Sequence, residues 1–271
     1  MRWVTAQPTR RATLLLGALP LLVLALAYIV AAAARHADNA ADKILPLPGA
    51  MAAAMAGLLF EPDPLSGQYL FWADTIASLG RLGLGLGIAT ASTLLVGVLV
   101  GSLPPLRAFL GPLVTAIAVI PPIAVLPILF IVFGLGEVAK VALIVVGVAP
   151  FMVRDVAGHI AALPREQVVK ALTLGANSWG VVLRVMLPQA LPRLLDGLRL
   201  SLGPAWVFLI SAEAIAADVG LGYRIFLVRR YLAMDVIIPY VAWIALLAVV
   251  LDFALVFASR RLFGWAHLGA R

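Results

Sequence analysis

The stretch ALTLGANSWGVVLRVMLP, residues 171–188, interrupts a chain that is otherwise almost wholly apolar. It carries a Gly-Ala-Asn turn signal at 175–177 and closes on Leu-Pro, with charged residues on both sides. A lipid-embedded segment has no water to satisfy irregular backbone or scattered charge. Residues 154–199 are therefore too polar to span a bilayer, and they divide the apolar runs on either side of them.

Those runs set the fold class. The chain has 271 residues, 63% hydrophobic and 12% charged, with a mean hydropathy of +1.08. Soluble domains average about 25% charged residues, so the composition is that of a membrane protein. Six apolar spans are predicted, at 13–34, 82–103, 108–133, 138–153, 200–217 and 236–259. The first is 22 residues, about 33 Å as a helix, and its length favours an anchor over a cleaved signal peptide. The expected fold is an all-α polytopic membrane protein with six transmembrane helices. Residues 1–12 are an N-terminal tail, 13–259 the membrane domain with a loop at about 158–192, and 260–271 a C-terminal tail.

Charge placement orients this map. With the N-terminus inside, the inner segments hold thirteen of the 20 Lys and Arg residues but only Asp155, Glu166 and Asp196 among the acids. The positive-inside rule thus favours both chain ends in the cytoplasm. The same rule accounts for the net charge of +7 without nucleic acid. Arg224, Arg229 and Arg230 fall outside, which is tolerable where 219–235 packs in a protein cleft. Cysteine is absent, which excludes disulfides and thiolate metal sites.

Local patterns refine the elements. "ILPLP" at 44–48 cannot continue a helix. Beyond it, Met51, Met55, Leu58 and Leu59 share one helical face, read as a surface amphipathic helix or as packing for the first span. Gly83/Gly87 and Gly97/Gly101 are small-xxx-small pairs, suited to internal helix packing or to a subunit interface. Pro121, Pro122 and Pro127 break one span, and the carbonyls they free fit a helix lining a cavity better than a kinked packing helix.

In the inner loop two short helices are expected around Gly175-Ala176-Asn177, residues that tolerate a left-handed cap. Ser178 is placed as the second cap and Pro188 as its end. Val168, Val169 and Leu172 lie on one side of the first helix and Leu174 beside the turn. Such an apolar knob on an inside loop calls for a soluble partner.

This loop resembles the cytoplasmic loop of the permease subunits of ATP-binding-cassette importers. Their pattern is Glu-Ala-Ala, three residues, Gly, nine residues, Ile-x-Leu-Pro. Gly175 followed after nine residues by Val185-Met186-Leu187-Pro188 has that spacing. Val169-Lys170-Ala171 stands in place of Glu-Ala-Ala, with only Ala171 matching, and Glu166 is the acid one turn earlier. "IPPIAVLPILFIVFGLGEVAK" (120–140), "LPQALPRLLDGLRLSLGPAW" (187–206) and "AEAIAADVGLGY" (212–223) are similar to the nitrate/sulfonate/taurine-type branch, as is "ILPLP".

The resemblance implies a type I importer permease in a bacterial inner membrane. It implies a second copy of the chain, two cytoplasmic ATPases that carry ATP and Mg, and an external substrate-binding protein. It makes 166–178 the coupling helix, with Glu166, Val169, Lys170, Ala171, Leu172, Leu174, Gly175, Ala176 and Ser178 as ATPase-coupling residues. The chain is not expected to be an enzyme or to hold a cofactor or metal. None of Lys43, Lys140 and Lys170 follows a glycine as a phosphate-binding loop requires, and His36, His159 and His267 lack ligand spacing.

Two acids fall inside spans. Asp252, two turns from Arg260, is read as a helix-pinning pair. Glu213 shares its span with Ser201, Trp206 and Ser211, and these four with Pro121 and Pro122 are candidates for the translocation pathway; pairing is the other reading of Glu213. The rival function, a secondary transporter driven by an ion gradient, calls for an inverted repeat between the halves, and none is evident.

Overall fold

A computed structural model describes residues 9–267, and every regular element among them is a helix. The chain forms two units, one of residues up to Tyr69 with Val228–Val241, the other of Leu70–Leu227 with Ala242 onward. Arg2, at one chain end, and Arg271, at the other, lie outside the described residues.

In the first unit α1 (Arg10–Asp38) starts where the Thr9 hydroxyl accepts from the Ala12 amide. It is longer than its apolar run, and Arg35 in its last turn grips Asp42 at 2.6 Å. The Arg35 guanidinium, donating to that carboxylate, holds Asp42 down at about 2. The Tyr28 hydroxyl donates to the Pro46 carbonyl at 2.7 Å, folding the linker back along α1. α2 (Pro48–Phe60) begins at proline, whose fixed φ suits a first helical position. Met51, Met55, Leu58 and Leu59 are each half-buried, so their stripe is only partly covered.

The second unit is a bundle. α3 (Leu70–Ser92) runs through a π-type turn at Thr93–Gly97 into α4 (Val98–Ser102), making one rod of 33 residues. α5 (Pro104–Val119) and α6 (Pro122–Phe133) follow, with a 98° bend where Ile120 and Pro121 are extended. A residue before proline is pushed out of the helical region, and two prolines in series remove two donors. α7 (Glu137–Ala161), α8 (Arg165–Thr173) and α9 (Ser178–Val181) come next, then α10 (Leu187–Ala216), α11 (Leu221–Val228) and α12 (Met234–Leu262). Among the described residues five helices are long and apolar enough to cross a membrane, and the bent α5–α6 pair makes a sixth if it counts as one span.

Close contacts show that it does. A Cβ at Gly85 would touch Ile144, one at Gly97 would meet Val156, and one at Gly101 would meet Ile160 and Ala157. These pairs advance together, so α3–α4 and α7 run parallel. The chain must therefore return from the Ser102 end to the Glu137 end between them, and α5–α6 is that return crossing. α10 runs the opposite way to α7, since Arg193 meets Asp155, Gly147 backs onto Phe208 and Glu213 meets Arg81. α12 reverses again, with Trp243 bonded to Thr75 and Asp252 to Arg199. One end of the unit collects Arg107, Arg154, α8 and Arg260-Arg261, and is its basic end.

Several boundaries shift for physical reasons. The span predicted to start at 82 begins at Leu70, because Asp74 and Arg81 are paired within protein rather than exposed. The predicted 138–153 and 200–217 extend to Ala161 and back to Ser178. Pro188 does not close a helix. The Leu187 amide reaches back five residues to Val182, and this widened turn carries the chain from α9 into α10. Asp252 pairs with Arg199, not with Arg260.

The two glycine pairs part company. Gly97 and Gly101 lie against α7, whereas Gly83 and Gly87 open onto an apolar groove of about 490 Å3 with Leu202 and Leu255.

Candidate functional site

The loop at the basic end is a small rigid device. α8 ends in a left-handed glycine, Gly175 at φ 87°. The Gly175 amide donates to the Leu172 carbonyl and the Ala176 amide to that of Ala171, both at 3.0 Å. That pattern is the double-bonded Schellman cap. Asn177, not Ser178, caps the next helix; its Oδ1 accepts from the Gly180 amide at 2.7 Å. Ser178 is instead the first residue of α9. The Gln189 amide group donates to Gln167 at 3.0 Å, tying α8 to the start of α10.

This device exposes apolar side chains. Leu174 is 80% exposed and Val169 61%, with Leu172, Trp179 and Leu183 also exposed. Ala171 and Ala176 are half-buried beneath the turn, while Glu166, Lys170, Gly175 and Ser178 face outward. Trp179 and Leu183 were not among the predicted coupling residues; their spacing of four from α9 onward was the available signal. An exposed apolar tip on a hydrogen-bonded scaffold is the form of a docking knob.

The opposite end is ionic. Arg81, only 5% exposed, meets Glu137 with two nitrogens at 2.5 and 2.8 Å and Glu213 with a third at 2.7 Å. It also donates to the Val219 carbonyl at 2.7 Å. Lys140 donates to Glu137 at 2.8 Å. The fully buried Glu213 accepts from the Ser78 hydroxyl and from the Gly222 amide at 2.9 Å. Ser78 in turn accepts from the Leu221 amide. Asp74, also fully buried, accepts from Arg224 at 2.7 Å and the Gly220 amide at 2.9 Å. Three cations thus meet three carboxylates across α3, α7, α10 and α11. Buried charge persists only when paired and hydrogen-bonded in this manner.

The turn is shaped to admit the network. Gly220 sits at φ 138°, and a Cβ there would lie 2.6 Å from the Glu213 carboxylate. Arg224 is accounted for by Asp74, whereas Arg229 and Arg230 are exposed, so the cleft expected for 219–235 holds only the part that carries Arg224.

The predicted pathway residues separate. Ser201, Trp206 and Glu213 are buried inside the unit, and the Ser201 hydroxyl bonds the Gly197 carbonyl. Ser211 is half-buried with its hydroxyl on the Val207 carbonyl. Pro121 is exposed and Pro122 half-buried at the α5–α6 bend. Among the described residues no cluster of three or more His, Asp or Glu side chains could hold a metal.

Residues 83–264 match the model of the binding-protein-dependent transport system inner membrane component. The taurine transport system permease protein TauC of Escherichia coli K12 is 37% identical over 195 residues, 72% of this chain and 70% of that one. The bicarbonate transport system permease protein CmpB of Synechococcus elongatus is 32% identical over 68% of this chain and 66% of its own. Among solved structures, the inward-facing MetNI methionine ABC transporter superposes with a TM-score of 0.59 at 23% identity, over 72% of this chain and 95% of that chain.

Proposed function

The chain belongs to the inner membrane components of binding-protein-dependent transport systems, and from that premise we propose that it is the permease subunit through which an ATP-driven importer passes a small polar solute. Two copies form the pathway, an external binding protein delivers the solute, and two cytoplasmic ATPases carry ATP and Mg. The observation that carries this reading is the exposed apolar knob of α8 and α9. It stands on a capped, hydrogen-bonded scaffold at the basic end, the end the positive-inside rule assigns to the cytoplasm.

The knob is continuous with α10 through the turn at 182–186. A push on Leu172, Leu174 and Trp179 from a closing ATPase is thereby delivered to a membrane helix as a rigid-body motion. Coupling between sites is reciprocal, so solute in the pathway biases the ATPase as well. The pathway is assigned to the bend at Pro121–Pro122 and to Ser211. Ser201 and Trp206 join it only if α10 moves away from α3 and α7. The solute is a small oxyanion or sulfonate, the chemistry common to the taurine and bicarbonate systems of the relatives.

Co-expression with an ATP-binding-cassette ATPase from the same organism tests the reading. Native mass measurement should show two permeases and two ATPases. Cysteines at Pro121 and Ser211 should react with water-soluble thiol reagents to an extent that changes with ATP. A monomer that moves solute on an imposed ion gradient, with no ATPase bound, would establish the secondary-transporter alternative.

A further inference from the structure

At the basic end of the second unit, α5 and α7 leave a cleft of about 210 Å3 lined by Val100, Arg107, Val114, Thr115, Arg154 and Gly158 among others. Two of these residues are cations, and no carboxylate lines the cleft. Arg107 is part-buried and spends its donors on the Val100 and Gly101 carbonyls, the frayed end of α4. Those are neutral acceptors, and they leave its charge uncompensated. Arg154 donates to no acceptor among the described residues. The neighbouring acid, Asp155, is taken by Nε and Nη2 of Arg193 at 2.8 and 2.5 Å.

Two positive charges on one cleft with no carboxylate beside them, the half-buried Arg107 and the exposed Arg154, attract an anion. Apart from Thr115, the remaining walls are valine, alanine and glycine. A Cβ on Gly158 would meet nothing within 4 Å, so space is open above it. Cationic rim and apolar wall together describe an amphiphile, charged at one end and greasy at the other.

We propose that this cleft is a binding site for an anionic phospholipid, with its phosphodiester between Arg107 and Arg154 and the start of an acyl chain along Val100 and Val114. Basic pockets between membrane helices on the cytoplasmic side recognise such headgroups. The site is separate from the coupling knob, so its failure would leave the permease reading standing.

The full-length chain reconstituted into nanodiscs of phosphatidylcholine with phosphatidylglycerol, then examined by native mass spectrometry, provides the test. Phosphatidylglycerol should be retained by the unmutated chain and fall about five-fold in Arg154→Gln. Gly158→Leu keeps both charges and fills the space, so it should reduce retention to a similar extent. It also decides the matter if Arg154→Gln fails to insert. Arg165→Gln, an exposed basic residue on α8 outside the cleft, should retain as much lipid as the unmutated chain. Equal retention in all variants would overturn the site. So would an equal loss in Arg165→Gln, which would mean diffuse attraction to the basic end. Displacement of the lipid by inorganic phosphate alone would reassign the cleft to a soluble oxyanion.

Discussion

The two ends of the second unit are built on opposite terms. At the basic end, α8 and α9 leave Leu174 and Val169 in the open and hold their shape with backbone caps made within a few residues. At the other end, Asp74, Ser78, Arg81 and Glu213 are sealed from solvent, and the bonds that tie α3 to α10, α11 and the turn between them join residues 132 to 150 apart in sequence. The first arrangement offers surface to another molecule and risks little if a side chain changes. The second offers little surface beyond the exposed side chain of Glu137, and every charge in it is committed. A machine that moves one membrane helix against another needs both: a handle that can be gripped, and a joint that does not slip when it is pulled.

The sharpest way to break this contrast is to remove one charge from the joint. Arg81→Ala leaves Glu213 buried with only Ser78 and the Gly222 amide as partners, and leaves Glu137 with Lys140 alone. Breaking a buried pair in this way costs about 3–5 kcal/mol. The variant should lose protease resistance and a cooperative thermal transition in detergent, and Glu213→Ala should do the same. Unchanged melting in both would show that the network contributes nothing net to holding the helices together.

Next comes the turn that admits the network. Gly220→Ala sets a methyl group 2.6 Å from the Glu213 carboxylate at φ 138°. Backbone strain of this kind costs about 1–3 kcal/mol, before any displacement of the carboxylate. The expected result is a lowered melting temperature with the chain still inserted. Gly158→Ala, which meets open space on α7, is the matched control and should be neutral or slightly stabilising.

The two ends also differ in how far they could be read from sequence. The knob was legible because its determinants are local: Gly175, the residues after it that end in Leu-Pro, and polarity too high for a span. Even there, the sequence offers Ser178 as readily as Asn177 for the cap that Asn177 provides, since both residue types serve and stand side by side. Pro188 reads as a stop because the five-residue reach of Leu187 to Val182 has no signature of its own. At the other end Arg81 reads as a loop residue, and Glu213 reads either as a pathway residue or as half of a pair whose partner the sequence does not name. Neither carries a local mark of the other, and only folding brings α3 and α10 together. What could have hinted at it was bookkeeping of sign: intramembrane charges of both signs, near spans of matching depth, with a Gly-Leu-Gly turn close behind Glu213.

At the basic end the expected losses are of function rather than stability. Gly175→Val forces a branched side chain into φ 87° and costs roughly 1–2 kcal/mol in the left-handed region. The local cap should open while the bundle remains intact. Insertion and dimerisation should persist, but less ATPase should co-purify, and hydrolysis should no longer respond to solute. A Gly175→Val complex that matches the unmutated one in both respects would mean that 171–188 is not the coupling element.

The smallest effect on stability belongs to Leu174→Asp, and it separates the two ends most cleanly. The side chain is 80% exposed and beside the turn, so its replacement removes almost no buried area from the permease itself. Surface changes of this kind usually stay within about 0.5 kcal/mol. If the knob docks in a groove on an ATPase, however, the same change places a carboxylate in a desolvated apolar contact with no cation provided for it. The isolated permease should melt as before while ATPase co-purification falls steeply. Leu174→Met, which keeps apolar volume, should restore it. A Leu174→Asp chain that both melts normally and retains its ATPase would show that the exposed tip does not touch the partner, and the handle would have to be sought along Trp179 and Leu183 instead.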